Sequence, residues 1–237
     1  MSSVFLRAEW RALVMLNYSV DRAVLDPLVP RGVELDLWED SALVSMVGFL
    51  FLDCRVLGVP IPFHRDFEEV NLRFYVRRKV HGEWRRGVVF VREIVPRHAI
   101  AFVARAAYNE PYIALPMRHE APGNGGAFSY SWKLGGRWNS LAAHTLGAAS
   151  GIASGSAEEF IFEHYWGYTR QRDGGTMEYQ VEHPPWRVWQ TESTSLDCDA
   201  GPLYGPEFIE PLGAKPLSAF VAEGSPVSVR RGERVVY

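Results

Sequence analysis

Between His64 and Tyr112 the chain sets carboxylates and guanidinium groups inside stretches that otherwise read as core. HRDFEEVNLRFYVRR carries Asp66, Glu68, Glu69 and Arg73, GVVFVREIVPR carries Arg92 and Glu93, and HAIAFVARAAYNEPY carries Arg105 and Glu110, each beside valine, phenylalanine or alanine. A charge in such surroundings is costly unless it is paired or faces a solvated cavity. The block therefore points to a lined pocket. Two chemistries suit these residue types. A carboxyl whose pKa is lifted towards neutrality serves as general acid or base, and an arginine fork anchors a carboxylate or an oxyanion.

Glu68 and Glu69 are adjacent, so on a strand they face opposite ways and at most one lines an interior. Glu69 shares its face with Asn71, Arg73 and Tyr75 and is the better candidate if that face is interior; otherwise Glu68 replaces it. Arg92, Glu93, Arg105 and Glu110 suit a ligand clamp with a proton-handling acid, and equally a structural ion network joining a helix to the sheet, which is the favoured reading.

Other constellations are weaker. The histidines His64, His81, His98, His119, His144, His164 and His183 lack HxH or HExxH spacing, and no metal is expected. Glu163-His164 and Glu182-His183 lie at similar distances from the Asp173-Gly174 turn and could meet as a two-histidine, two-carboxylate group, though a hairpin hydrogen-bond network is commoner. Ser150-Gly151 and Ser154-Gly155-Ser156 do not form GxSxG, and Gly151 to Gly155 lacks the GxGxxG order of a dinucleotide loop. The 8 tryptophans are spread along strand-like segments, as core or cavity wall.

The elements that must position these residues are mostly strands. Trp10 to Tyr18 reads as an opening strand, and Asp21 caps a short helix in RAVLDPL that Pro27 and Pro30 confine. VELDLW and ALVSMVGFLFLD flank Glu39-Asp40-Ser41 and read as a hairpin. From Phe67 to Arg77 Val70, Leu72, Phe74 and Val76 alternate with Glu69, Asn71, Arg73, Tyr75 and Arg77, an apolar face against a charged one. HGEW turns into GVVFVREIV, a helix is expected after Pro96, with a buried strand as the alternative, and Asn109-Glu110-Pro111 ends it. SYSWKLGGRWNSLAAHTL and YWGYTRQ-RDGG-TMEYQVEH read as hairpins. Ser156 and Glu159 have capping-box spacing before FIFEHYWGY, where helix and strand compete. The C-terminal third reads as irregular until a last hairpin in SVRRGERVVY.

At 237 residues, without repeats or a linker, one domain is expected over 1–237. Apolar residues form 47% and charged residues 22%, which excludes a disordered chain. A net charge of −3 without a basic run gives no attraction to nucleic acid or to anionic lipid. Cys54 and Cys198 lack CxxC spacing, Arg7, Glu9 and Arg11 break any signal-peptide core, and no segment reaches the ~20 apolar residues of a membrane span. A cytoplasmic protein is expected.

NYSVD, LDPLVPRGVELDLWEDSALVSMVGFLF, FHRDFEEVNLRFYVR, GVVFVREIVPR, YNEPY, EHYWGYTRQRDG and EYQVEHPPW, in this order, resemble the bacterial DUF2071 (YqjF-like) family of the acetoacetate-decarboxylase-like superfamily. The resemblance covers most of the chain. It implies a β-dominated α+β fold, a cone-shaped β-barrel with a few peripheral helices, and a ligand cavity lined by strands and by the segment after the central helix. It conveys no settled activity for this family. Acetoacetate decarboxylase itself forms a Schiff base on a lysine placed just after that helix. Here the matching stretch, Tyr108 to Ala114, holds Asn109, Glu110 and Tyr112 but no lysine, and the chain's lysines are Lys79, Lys133 and Lys215.

The expectation is therefore a protein that binds or transforms a small carboxylate- or carbonyl-bearing molecule without an imine and without a cofactor. Glu69 and Glu110 are its catalytic candidates, and Glu68, Arg73, Arg92, Glu93, Arg105, Asn109 and Tyr112 its ligand-binding candidates. The alternative is a non-catalytic barrel, packed solid and self-associating as a homo-oligomer through an apolar patch. A third option is imine chemistry by a lysine reaching in from elsewhere, such as Lys133.

Overall fold

The structure, a computed structural model, describes residues 3–60, 64–102 and 109–237. Among these the strands are β1 (Val4–Val20), β2 (Glu34–Leu35), β3 (Ala42–Val56), β4 (Val59–Pro60), β5 (Phe67–Val80), β6 (Glu83–Val95), β7 (Tyr112–Ala114) and β8 (Met117–Glu120). They continue with β9 (Ala127–Leu134), β10 (Arg137–Gly151), β11 (Trp166–Arg170), β12 (Thr176–Glu182), β13 (Arg187–Asp197), β14 (Ser218–Arg230) and β15 (Glu233–Arg234). All join one sheet of order β15-β12-β11-β6-β5-β3-β1-β14-β13-β10-β9-β8. Val181 and Glu182 of β12 also pair with Val229 and Ser228 of β14. That contact closes β1, β3, β5, β6, β11, β12 and β14 into a ring, so strand edges are consumed rather than exposed.

The ring has buried residues on both faces of its central strands. On the outward face Val70, Leu72, Phe74 and Val76 of β5 pack with Val44, Met46, Tyr130 and Trp132, under the arm β8 to β10 and the short helices Ala200–Tyr204 and Ile209–Gly213. Gly48 of β3 permits this closeness: a Cβ there would lie 2.6 Å from the Tyr130 ring. On the inward face Tyr75, Phe49, Phe51 and Phe67 meet Phe160, Ile161 and Phe162 of the helix Ala157–Phe162, which plugs one side of the ring. Ser156 caps that helix by accepting from Glu159 N, and Glu159 accepts from Gly155 N, as the capping-box spacing anticipates.

Three β-bulges change which residues face in. An extra residue in a strand reverses the alternation beyond it. In β1 the register skips between Arg11 and Val14, with Ala12 at φ 56°, and the inward set passes from Trp10 to Leu13. In β3 it skips near Asp53, φ 47°, and the inward set passes from Phe51 to Cys54. In β6 Leu72 pairs with Arg92 and Arg73 with Phe90, so Val91 is the extra residue and the inward set passes from Phe90 to Glu93.

The β5 alternation, the β9–β10 and β11–β12 hairpins and the Asp21 cap (Ala23 N to Oδ1, 2.9 Å) agree with the sequence reading. Residues 98–102 are helical after Pro96; the rest of the expected helix, with Arg105, lies outside the described residues. FIFEHYWGY divides, helix to Phe162 and strand from Trp166.

Three expectations need correction. VELDLW does not form a hairpin with β3: Trp38 and Ser41 bridge across the tight turn, but β2 pairs with Val76 and Arg77 of β5. SVRRGERVVY is no hairpin either, because β15 pairs with Met177 and Glu178 of β12. The C-terminal third is not irregular, since it holds the long strands β13 and β14.

The first correction has a visible cause. Asp36 is buried, its N–H donates to Tyr75 O at 3.0 Å, and its carboxylate accepts from Arg86 Nε at 2.6 Å and lies 3.1 Å from His164 Nε2. Burial pushes its carboxyl up, but the hydrogen bonds to His164 and Arg86 outweigh this and hold the pKa below the usual range. The anchor draws the segment to β5 and the plug helix rather than to β3. Asp36→Ala would take the hydrogen-bond partner from buried His164 and from half-buried Arg86, and is expected to cost on the order of 2 kcal/mol in urea unfolding.

Candidate active site

Inside the ring lies a cavity of about 240 Å³. One end is walled by Trp10, Phe49, Phe51, Phe67, Phe162 and Trp186; the other holds Glu69, Glu93, Glu110, Asn71, Arg73, Tyr112 and Tyr179. Glu69 and Asn71 enter from β5, and Glu93 arrives opposite Asn71 from β6 because of the Val91 bulge. Glu110 and Tyr112 alternate inward along an extended segment that ends in β7, laid parallel to β6 with Glu93 against Tyr112. Tyr179 faces Gly167 across the β11–β12 hairpin, and the missing Cβ lets its ring lie flat on that backbone.

Hydrogen bonds fix the cluster. Glu69 accepts from Asn71 Nδ2 at 2.9 Å and from Tyr112 Oη at 2.8 Å. Glu110 accepts from Tyr179 Oη at 2.8 Å and from Thr169 Oγ1. Glu93 is bonded to Tyr112, yet its Oε2 is buried with no partner among the described residues. Asn71 Oδ1 and Arg73 Nε share that condition.

Burial dominates the electrostatics. It pushes the Glu69 carboxyl up to about 7 against the pull of Asn71, Tyr112 and Arg73. It does the same to Glu110, also to about 7, with Glu69 adding to it against Thr169 and Tyr179. Glu93 is raised well above the ordinary carboxylate range, by burial first and then by the charges of Glu110 and Glu69. Like charges that share a dry site cannot all ionise, so near neutral pH Glu93 holds its proton while Glu69 and Glu110 share the titration.

The remaining sequence candidates lie elsewhere. Glu68 faces away from the cavity, with Oε2 3.4 Å from His119 Nδ1. Arg92 also points outward, its Nε donating to Leu203 O at 3.1 Å, and so ties the helix Ala200–Tyr204 to the sheet. Asn109 is tied to the end of β11 through Arg170 O, 2.8 Å, and to Arg172. Arg105 is outside the described residues. The paired Glu-His dipeptides do not converge: His164 turns to Asp36, His183 stacks on Trp186, and Glu182 pairs with Arg230. Lys79, Lys133 and Lys215 are exposed and none lines the cavity, which removes the imine option through Lys133; its Nζ sits 6.0 Å from the Trp138 ring. Sequence reasoning missed Tyr179 and Thr169, whose only signal was their place in the β11–β12 hairpin, and Trp10.

The family model of DUF2071, described as an uncharacterised conserved protein, matches residues 7–226. The chain belongs to the DUF2071 family. It is 29% identical over 195 residues to the uncharacterised protein YqjF of Bacillus subtilis, covering 79% of this chain and 76% of that one. Among solved structures it is similar to acetoacetate decarboxylase from Legionella pneumophila, with a TM-score of 0.68 at 16% identity over 98% of this chain and 87% of that one. It is also similar to the enduracididine biosynthesis enzyme MppR complexed with pyruvate, with a TM-score of 0.66 at 12% identity over 99% and 91%. At such identities the likeness establishes the fold, a β-dominated, acetoacetate-decarboxylase-like sheet. Among the described residues no helix is long and apolar enough to cross a membrane.

A carboxyl raised in the folded state binds protons there that the unfolded chain has released, so it stabilises fully below its unfolded pKa and the contribution fades as pH rises through the folded value. For Glu69 and Glu110 that window runs from the ordinary 4.5 to about 7. Stability in urea is thus expected to fall between pH 5 and pH 8, by on the order of 3 kcal/mol for the coupled pair together. Glu93→Gln, neutral at every pH, is expected to flatten the slope and raise stability at pH 8. Gly167→Ala would push Tyr179 off Glu110, and is expected to lift the Glu110 pKa as followed by carboxyl NMR.

Proposed function

We propose that the cavity takes a small carbonyl-bearing molecule and moves a proton on the carbon next to its carbonyl. Glu69 is the base and Glu93 the neutral acid at the carbonyl oxygen. The observation that carries this reading is the unpartnered, buried Oε2 of Glu93 beside a carboxylate poised near 7. A carboxylic acid kept neutral by an apolar site donates a hydrogen bond to a developing enolate, and a base near the working pH is ionised often enough to take the proton. The C–H bond breaks towards Glu69, its electron pair forms the C=C bond, and the carbonyl π pair moves to the oxygen that Glu93 protonates. Return of a proton from Glu69 to the same carbon, as the enol O–H gives its proton back to Glu93 and the C=O bond re-forms, completes an exchange.

Tyr112 orients both acids, and Tyr179 with Thr169 holds Glu110 as the third carboxyl of the set. Arg73 is the guanidinium on the cavity wall, with Nε free to anchor a ligand carboxylate. MppR, of similar fold, is complexed with pyruvate, which has both a carbonyl and a carboxylate. A space-filled, non-catalytic interior fits less well with a cavity of about 240 Å³.

The test is deuterium uptake from D2O into the methyl groups of pyruvate and butan-2-one, followed by proton NMR. Protein-dependent exchange is expected, insensitive to borohydride because no lysine reaches the site. Glu69→Gln is expected to slow it by at least about 100-fold. The rate should rise through about pH 7 as Glu69 ionises. No exchange above the buffer rate with either ketone would sink the proton-transfer reading.

A further inference from the structure

We propose that the ligand carries an aryl group, seated at the aromatic end of the cavity, with a hydrogen-bond acceptor on its far edge received by Trp10. The position of its carbonyl head rests on the function proposed above. The aromatic end is built around Trp10, whose ring centroid lies 5.4 Å from Phe49, 5.8 Å from Phe51 and 6.4 Å from Trp186, each edge-on. Phe51 stacks on Phe67 at 4.8 Å. Edge-on and offset rings are the geometry by which aromatic side chains take up a further ring.

The two indoles at this end differ. Trp186 Nε1 donates to Ser225 Oγ at 2.7 Å, whereas Trp10 Nε1 is buried with no partner among the described residues. A buried N–H left unpaired is destabilising, and buried indoles normally find an acceptor. Trp132 Nε1 is also unpaired, but it is packed in the outer core away from the cavity, where no ligand reaches it. Among the indoles of the described residues, Trp10 alone combines an unpaired donor with a place on the cavity wall, and Arg73 Nε is the unpaired donor at the other end.

Register sets the span. Trp10 pairs with Phe51 and Phe51 with Phe67, while Glu69 pairs with Phe49 and Asn71 with Glu93. From the Phe67 row to the Asn71 row is two same-face steps along β5, about 13 Å. Side chains reach inward from both rows and a hydrogen bond of about 3 Å closes each end. A single ring on a two-carbon tether bridges what remains. The volume of about 240 Å³ equals roughly eight liquid waters, room for one ring and a short tether.

Calorimetric titration of butan-2-one, 4-phenylbutan-2-one, 4-(4-methoxyphenyl)butan-2-one and 1-butyl-4-methoxybenzene would test this. The phenyl ketone is expected to bind at least about tenfold tighter than butan-2-one, and the methoxy group to add about fivefold more. In Trp10→Phe the phenyl gain should remain and the methoxy gain vanish. Without any mutation, the Trp10 indole N–H resonance should shift with the methoxy ligand and not with the phenyl one. A methoxy gain that survives Trp10→Phe, an indole that does not respond, a butanone that binds as well as its aryl relatives, or no binding of any probe would each overturn the proposal. The proton-transfer reading fails separately. If the carbonyl-free 1-butyl-4-methoxybenzene binds as tightly as the methoxyphenyl ketone, and Glu93→Gln alters neither, the aryl site stands and the carbonyl head does not.

Discussion

Three carboxyl groups held together out of water set the terms for the rest of this molecule. Glu69, Glu93 and Glu110 are each nearly inaccessible to solvent, and a protein tolerates such a group only by pairing it, by hydrogen-bonding it or by keeping its proton. No arginine or lysine forms a close ion pair with any of the three among the described residues. The fold instead spends hydroxyls and one amide on two of them and leaves the third neutral. That choice removes salt-bridge stability as a role for the cluster and leaves protons as its exchangeable content.

The sheet that encloses the cluster works by burying both faces of its middle strands. β5 has an aliphatic face packed under the outer arm and a polar face turned to the cavity, so the polar alternation marks the interior rather than solvent. Ring closure through β12 and β14 makes this arrangement self-contained. At the plug helix, Asp36 and Arg86 provide a second polar knot, one in which charges are paired, with His164, its pKa pushed down by burial to about 4, as a neutral hydrogen-bond partner. The two knots lie on the same wall of the ring and follow opposite electrostatic strategies.

Much of this was legible in the residues. The alternation of Phe67 to Arg77 separated the two faces correctly and made Glu69 the inward glutamate once that face proved interior. Asp21, Ser156 and the glycine turns marked their own elements, because a cap or a tight turn is a local decision. Non-local decisions were hidden. Glu34 and Leu35 pair with β5 instead of β3 because of a buried aspartate, and β15 joins β12 because ring closure leaves an edge there. Arg92 and Glu93 looked equivalent on paper, and only the extra residue at Val91 made one of them a helix tether and the other a cavity acid. Tyr179 and Thr169 could not be found without knowing which hairpin lies against Glu110.

The bulges at Ala12, Asp53 and Val91 carry a consequence for how such proteins diverge. Each adds a single residue without adding a loop, so the lining depends on counting residues as much as on their identity. If Val91 paired with Leu72 as an ordinary strand residue instead of bulging, Arg92 would stand opposite Asn71 and face the cavity, and Glu93 would face away. One of the three cavity carboxyls would give way to a guanidinium with every side chain unchanged. Within this architecture, part of the charge offered to a ligand is a matter of register along a strand, open to change without rebuilding the core.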